Sequence, residues 1–175
     1  MTVLAAAMVA GALQLVENCR AMLPDDVELK GRIVQRDRRG IPTVERNYTL
    51  RRQKGVTSLD FPLEELKSDV TWSDITLDYL WWDDVSFDEE KTGETVNGQT
   101  CYVILLKKGD RTVRVWIDGK YGALMQAEEL KDGQPIRRLW GTRIKKFGDR
   151  WMANVLEVET LGSGHRTKIV VEEMQ

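Results

Sequence analysis

The chain has one histidine, His165, and any Ser-His-Asp or Cys-His arrangement would have to use it. It follows Gly162-Ser163-Gly164 at the entrance to a strand-like run, which is the setting of an exposed turn histidine. Neither Cys19 nor Cys101 has a neighbourhood that suggests thiolate activation. There is no Cys-x-x-Cys and no histidine pair for a metal, and Asp83-Asp84 and Asp88-Glu89-Glu90 lack the spacing of a calcium loop. The Gly-x-Gly at 162–164 lies between strands with no helix after it, so it cannot cradle a phosphate. Acids are plentiful, but nothing singles out two of them as a glycosidase pair. The sequence assigns no catalytic residue, no metal ligand and no cofactor. Two cysteines fit either one bridge or two buried thiols, and a bridge would tie the first helix to the middle of the sheet in an oxidising compartment.

What stands out is apolar surface. Trp116, Trp140 and Trp151 sit in three strand-like runs, and Trp72, Trp81 and Trp82 lie in an acidic, helix-like segment. Val113, Val115 and Ile117 alternate against Trp116, and Trp151 and Val155 are expected on one face with Met152, Leu156 and Val158 on the other. A sheet covered on one face needs only one apolar side. Apolar groups on both sides suit a greasy pocket under a removable lid, and six Trp with six Met fit such an adaptable wall.

The elements that would carry these residues are legible. Leu4, Met8, Leu15, Cys19 and Met22 recur at helical steps, widened by Val9, Leu13, Val16 and Leu23, and Pro24 ends the helix. From Asp26 the period falls to two, with strands around Val27–Ile33 and Val44–Leu50 joined by a turn at 38–42. Turn signals at Asn97-Gly98, Gly109-Asp110, Asp118-Gly119, Asp132-Gly133, Gly148-Asp149 and Gly162-Ser163-Gly164 separate six further strands. These are Thr100–Lys107, Thr112–Ile117, Tyr121–Leu130, Ile136–Phe147, Trp151–Thr160 and Arg166–Glu173, and such short connections demand antiparallel neighbours. Ser73 or Asp74 is expected to cap a two-turn helix carrying Ile75, Leu77, Leu80, Trp81 and Trp82.

The 175 residues fit one domain, 1–175, with 42% hydrophobic residues to build a core. A formal net charge of -2 argues against nucleic acid as a partner. Charge is unevenly spread: residues 35–54 hold seven basic residues against two acidic, and residues 59–90 hold eleven acidic against Lys67. These segments read as solvated hairpins and loops, or as a docking face for a charged partner or lipid head groups. Val3–Leu13 has the length of a signal-peptide core, but no Lys or Arg precedes it. It reads as part of the mature first helix, with the leader peptide absent. No stretch is long enough to span a membrane.

The order of elements then resembles a known family. A helix ending in Leu-Pro precedes "VELKGRIVQRDRRGIP", followed by "SDITLDYLWWDD", "NGQTCYVILLKK", "VRVWIDGKYGALMQAEELKDGQPIRRLWGTRIKKFGDRWMANVLEVET" and "GHRTKIVVEEM". From about Leu13 onward the chain resembles the LolA-like outer-membrane lipoprotein-sorting proteins, in their less characterised branch. The resemblance implies an α+β fold: a strongly curved antiparallel β-sheet, or half-open β-barrel, with the N-terminal helix and a second short helix covering its concave face. It also implies a periplasmic protein of a Gram-negative bacterium that shields lipid or lipoprotein acyl chains, with a membrane-bound donor or acceptor protein as a further partner. On that reading Leu15, Cys19, Met22, Leu77, Leu80 and Trp81 are lid contacts. Val113, Val115, Ile117, Met125, Trp140, Trp151 and Val155 line the acyl cavity. The chain has no N-terminal lipobox cysteine, so a membrane-anchored acceptor form is not expected. The rival reading is an envelope adaptor or sensor whose cavity is filled by its own side chains. A hydrolase would need a clustered acid pair in a polar cleft.

Overall fold

The computed structural model describes residues 3–66 and 69–175, and in the first helix it describes side chains from Gly11 onward. The expected helical contacts of Leu4, Met8 and Val9, and the lone basic residue Lys67, therefore lie outside the described residues. In chain order the elements are α1 (Val3–Met22), β1 (Val27–Arg36), β2 (Pro42–Gln53), β3 (Val56–Leu59), α2 (Trp72–Thr76), β4 (Asp84–Phe87), β5 (Thr95–Val96), β6 (Gln99–Lys108), β7 (Arg111–Asp118), β8 (Leu124–Lys131), β9 (Gln134–Phe147), β10 (Arg150–Thr160) and β11 (Arg166–Met174). Short 3-10 turns cover Leu63–Leu66 and Asp78–Trp81. No helix among the described residues is long and apolar enough to cross a membrane.

The chain forms two compact units, each discontinuous in sequence: residues 1–23 with 77–136, and residues 24–76 with 137–175. In the first unit the strand order is β8-β7-β6-β4, with β5 paired to β6, and all pairings are antiparallel. The hairpin between β5 and β6 turns on Asn97-Gly98, both at positive φ (50° and 78°). That is the backbone a two-residue turn between right-twisted strands requires, and Asn and Gly adopt it at least cost. The connection from β7 to β8 is different. The buried Asp118 carboxylate accepts the Lys120 and Tyr121 backbone N–H groups (3.2 and 2.8 Å), and strand pairing resumes only at Leu124, not at the expected Tyr121.

In the second unit the order is β3-β2-β1-β11-β10, with β9 beyond β10. Here β1, the first strand, pairs with β11, the last, and Ile33 lies opposite Ile169. A bulge between Lys30 and Gly31 breaks that register. Gly31 is required there because a Cβ would sit 1.8 Å from the Val170 carbonyl oxygen. Part of the uneven charge is used internally: Arg46 pairs with Glu65 at 2.8 Å and lies over the Phe61 ring, and Arg137 pairs with Asp74.

The second helix differs from the expectation. Thr71 precedes it, and the Asp74 carboxylate accepts both the Thr71 N–H and hydroxyl, so neither Ser73 nor Asp74 is the cap residue. The helix ends at Thr76 because Leu77 is left-handed (φ 54°), and Asp78–Trp81 then forms a separate 3-10 turn. Three strands went unread: β3 and β4 have four residues each and β5 has two, too short for an alternation to register.

Candidate functional site: a helix-covered sheet face and a neighbouring cleft

In the first unit, β7 is buried on both faces. On one, Val113, Val115 and Ile117 join Ile104 and Leu106 of β6, Val85 of β4 and Ala127 of β8 in a single buried cluster. α1 closes this face through Ala12, Val16 and Cys19, spaced four and three residues apart, and the 3-10 turn adds Tyr79 and Leu80, with Trp82 just beyond it. On the other face Trp116 packs with Cys101 and Val103.

Five of the expected site residues therefore meet: Cys19, Leu80, Val113, Val115 and Ile117, with Leu15 and Leu77 packed against them. Three others of this unit do not join that cluster. Met125 packs against Trp116 on the opposite face, because a register shift between Trp116 and Ile117 pairs Ile117 with Leu124 and leaves Met125 out of step. Met22 is 44% exposed, since the buried stripe of α1 is centred on Ala12, Val16 and Cys19. Trp81 is 50% exposed, because the left-handed Leu77 resets the phase of the turn that follows.

The remaining three belong to the second unit. Val155 is buried and Trp140 is half-buried beneath the Arg166 guanidinium at 5.1 Å. Trp151 is 66% exposed. The expectation that Trp151 and Val155 share a face fails because the β9–β10 register shifts on both sides of Val155, and a bulge disrupts strict alternation.

One side chain fastens the cover. Arg20 Nε donates to the Leu80 carbonyl oxygen, and its guanidinium carbon stands 6.0 Å from the centroid of the Trp81 ring. On the far side of the turn Arg111 lies 5.1 Å over Trp82. Burial pushes the Cys19 thiol up to about 11, so it stays protonated beneath the helix. Cys19 and Cys101 are both free, and they sit in clusters on opposite faces of the strands, which separates them.

An open cleft of about 890 Å³ lies beside this cover, walled by Phe87, Tyr102, Cys101 and Val103 and floored by glycines and acids of neighbouring turns. Its volume is within the ~300–1,000 Å³ typical of ligand pockets. Phe87 and Tyr102 face each other with ring centroids 6.1 Å apart, and a Cβ on Gly11 of α1 would lie 3.7 Å from the Phe87 ring. Sequence reasoning missed both aromatics, although Tyr102, Ile104 and Leu106 alternate toward α1 and could have revealed the first. Two cleft acids have structural work. Asp88 pairs with the buried Arg114 at 2.6 Å, and Arg114 also reaches Glu128 at 3.5 Å. Asp118 holds the turn described above. His165 is exposed in the second unit, where Nδ1 is 3.1 Å from the Gln35 side chain.

Residues 64–175 match a protein family described as "Uncharacterized protein". No curated protein sequence matches the chain. Among solved structures, the chain is similar to a LolA superfamily protein from Nitrosomonas europaea, with TM-score 0.75, 14% identity, and 94% of this chain and 92% of that one covered. It is similar to a domain assigned to outer membrane lipoprotein sorting from Vibrio parahaemolyticus (TM-score 0.73, 14% identity, 95% and 92% covered). A DUF1329 family protein from Desulfovibrio piger is similar as well (TM-score 0.73, 15% identity, 96% and 92% covered). These likenesses establish the LolA-like α+β half-barrel fold.

Proposed function

The chain belongs to the uncharacterized-protein family that its residues 64–175 match, and on that premise we propose that it is a periplasmic carrier or binder of lipid or lipoprotein acyl chains that contributes to outer-membrane lipoprotein sorting. The LolA-like fold supports this reading, since a relative of that fold is assigned to lipoprotein sorting. The observation that carries it lies in the first unit: an apolar sheet face is covered by α1 and one short turn, fastened through Arg20, beside an aromatic-walled cleft. Swinging the cover away exposes Val113, Val115 and Ile117 to a chain entering past Phe87 and Tyr102. Each methylene buried there contributes about 0.8 kcal/mol, so an acyl chain can replace the contacts that the cover gives up.

A second reading has its own support. The space under α1 is filled by Tyr79, Leu80 and Trp82, as in an envelope adaptor or sensor that uses the scaffold for protein contact. The two diverge in one experiment. Native mass spectrometry with lipid extraction, on protein purified from its own envelope fraction, is expected to find about one acylated species per chain. A bare mass, together with no uptake of a fluorescent fatty-acyl probe, would sink the carrier reading and leave the adaptor.

A further inference from the structure

The end of the β9–β10 hairpin carries a surface that the acyl site does not use. Strand β11 pairs with β10 over Val155–Glu159, whereas Arg150–Ala153 pair with Phe147–Ile144 of β9. The distal segment is thus a two-stranded ribbon, set off from the rest of β10 by the register shifts around Val155.

Opposed residues of an antiparallel pair share a face. Trp151 lies opposite Lys146, and Ala153 opposite Ile144, so Trp151, Lys146 and Ile144 stand together with only a small alanine beside them. Trp151 is 66% and Ile144 62% exposed. The other face holds the buried Phe147, with the Lys145 ammonium 4.9 Å over its ring. Four basic residues, Arg143, Lys145, Lys146 and Arg150, occupy the ribbon against one acid, Asp149.

We propose that this ribbon docks the protein on an anionic lipid surface, with Trp151 and Ile144 entering the headgroup boundary and Lys146 beside them meeting lipid phosphates, while Arg143 and Arg150, on the opposite face with Phe147, add to the positive field of the narrow ribbon. Tryptophan favours that boundary because its ring is apolar and its N–H is polar. Lysine and arginine lay their apolar stems along the surface while their charges reach the phosphates. The chemistry favours lipid over a protein partner: two apolar side chains on a narrow ribbon fall far short of the ~1,000 Å² that a specific protein interface buries. They suffice for shallow insertion assisted by charge, where each basic residue strengthens attachment about five-fold. The inference stands independently of the acyl site, since it uses residues of the second unit alone.

The test is flotation of the full chain with vesicles of phosphatidylcholine and phosphatidylglycerol in equal parts, against phosphatidylcholine alone. The protein is expected to float with the anionic vesicles and to be released by salt. The pair Ile144→Ser with Trp151→Ser, and separately Lys146→Glu with Arg150→Glu, should each reduce binding by at least about ten-fold. All four positions are exposed, so circular dichroism should show both variants folded. Unchanged binding by either variant overturns the proposal. Failure of the wild-type chain to bind anionic vesicles also overturns it and would turn attention to an acidic protein surface.

Discussion

The Tyr48 hydroxyl donates to the Val170 carbonyl oxygen at 3.2 Å, reaching from β2 to β11 over the intervening Gly31 of β1. The missing side chain of Gly31 makes room for the Val170 carbonyl, and the tyrosine ring covers the bare backbone. Tyr48→Phe should lower unfolding free energy by about 1 kcal/mol, the worth of one hydrogen bond. Gly31→Ala should lower it by about 3 kcal/mol, because the new Cβ strikes backbone. Urea titration measures both, and equal effects would refute the account.

The same tyrosine predicts a limit at alkaline pH. Burial pushes its phenol up. A group whose folded value is raised holds its proton more tightly in the native state. Its contribution is therefore complete below the free-phenol value of ~10 and is lost as pH rises beyond it. Wild-type stability should fall across that range, and Tyr48→Phe should flatten the fall.

Arg20 is expected to govern access beneath α1. In a Cys101→Ser background, Arg20→Gln should speed maleimide labelling of Cys19 about ten-fold, the equivalent of about 1.4 kcal/mol in the opening equilibrium. Labelling at the wild-type rate would show that the bond from Arg20 to the Leu80 carbonyl does not restrain the helix.

Arg114 compensates Asp88 and Glu128 in a buried position. Arg114→Leu should cost about 3–5 kcal/mol by stranding charge. Asp88→Asn, which keeps the shape, should cost less. Thermal or urea unfolding distinguishes them.

Glu94 offers an acid-side probe. Its hydrogen bond from Lys91, aided by one from the Trp116 indole N–H at 2.8 Å, holds its carboxyl below the usual range. With the folded value depressed, the contribution is present above ~4.5 and is lost as pH falls through the folded value. Tryptophan emission should step in that acid range, and Glu94→Gln should remove the step.

Much of this was legible in the sequence because period and turn chemistry agreed. Asn97-Gly98 and the alternation of Val113, Val115 and Ile117 against Trp116 placed strands and faces together, and Pro24 marked the helix end. What escaped depends on backbone events that leave no residue signature. Leu77 is a poor candidate for a left-handed conformation, yet that conformation splits the expected helix and sends Trp81 to solvent. The shifts at Met125 and around Val155 each displaced a residue from its expected partners. A one-residue slip exchanges the faces of a strand, so site residues are far more fragile than strand positions.

The interleaving of the two units has a consequence for how the chain reaches its native state. Ile33 waits for Ile169, and Cys19 waits for Val113 and Val115. Neither unit can close on a nascent chain until most of its length has emerged, because both depend on distant segments. Contacts between distant segments slow folding. During that interval the apolar stripe of α1 and the unpaired flank of β1 stay open to association. The helix that later guards the sheet is thus the segment in greatest need of shelter while the chain is being made.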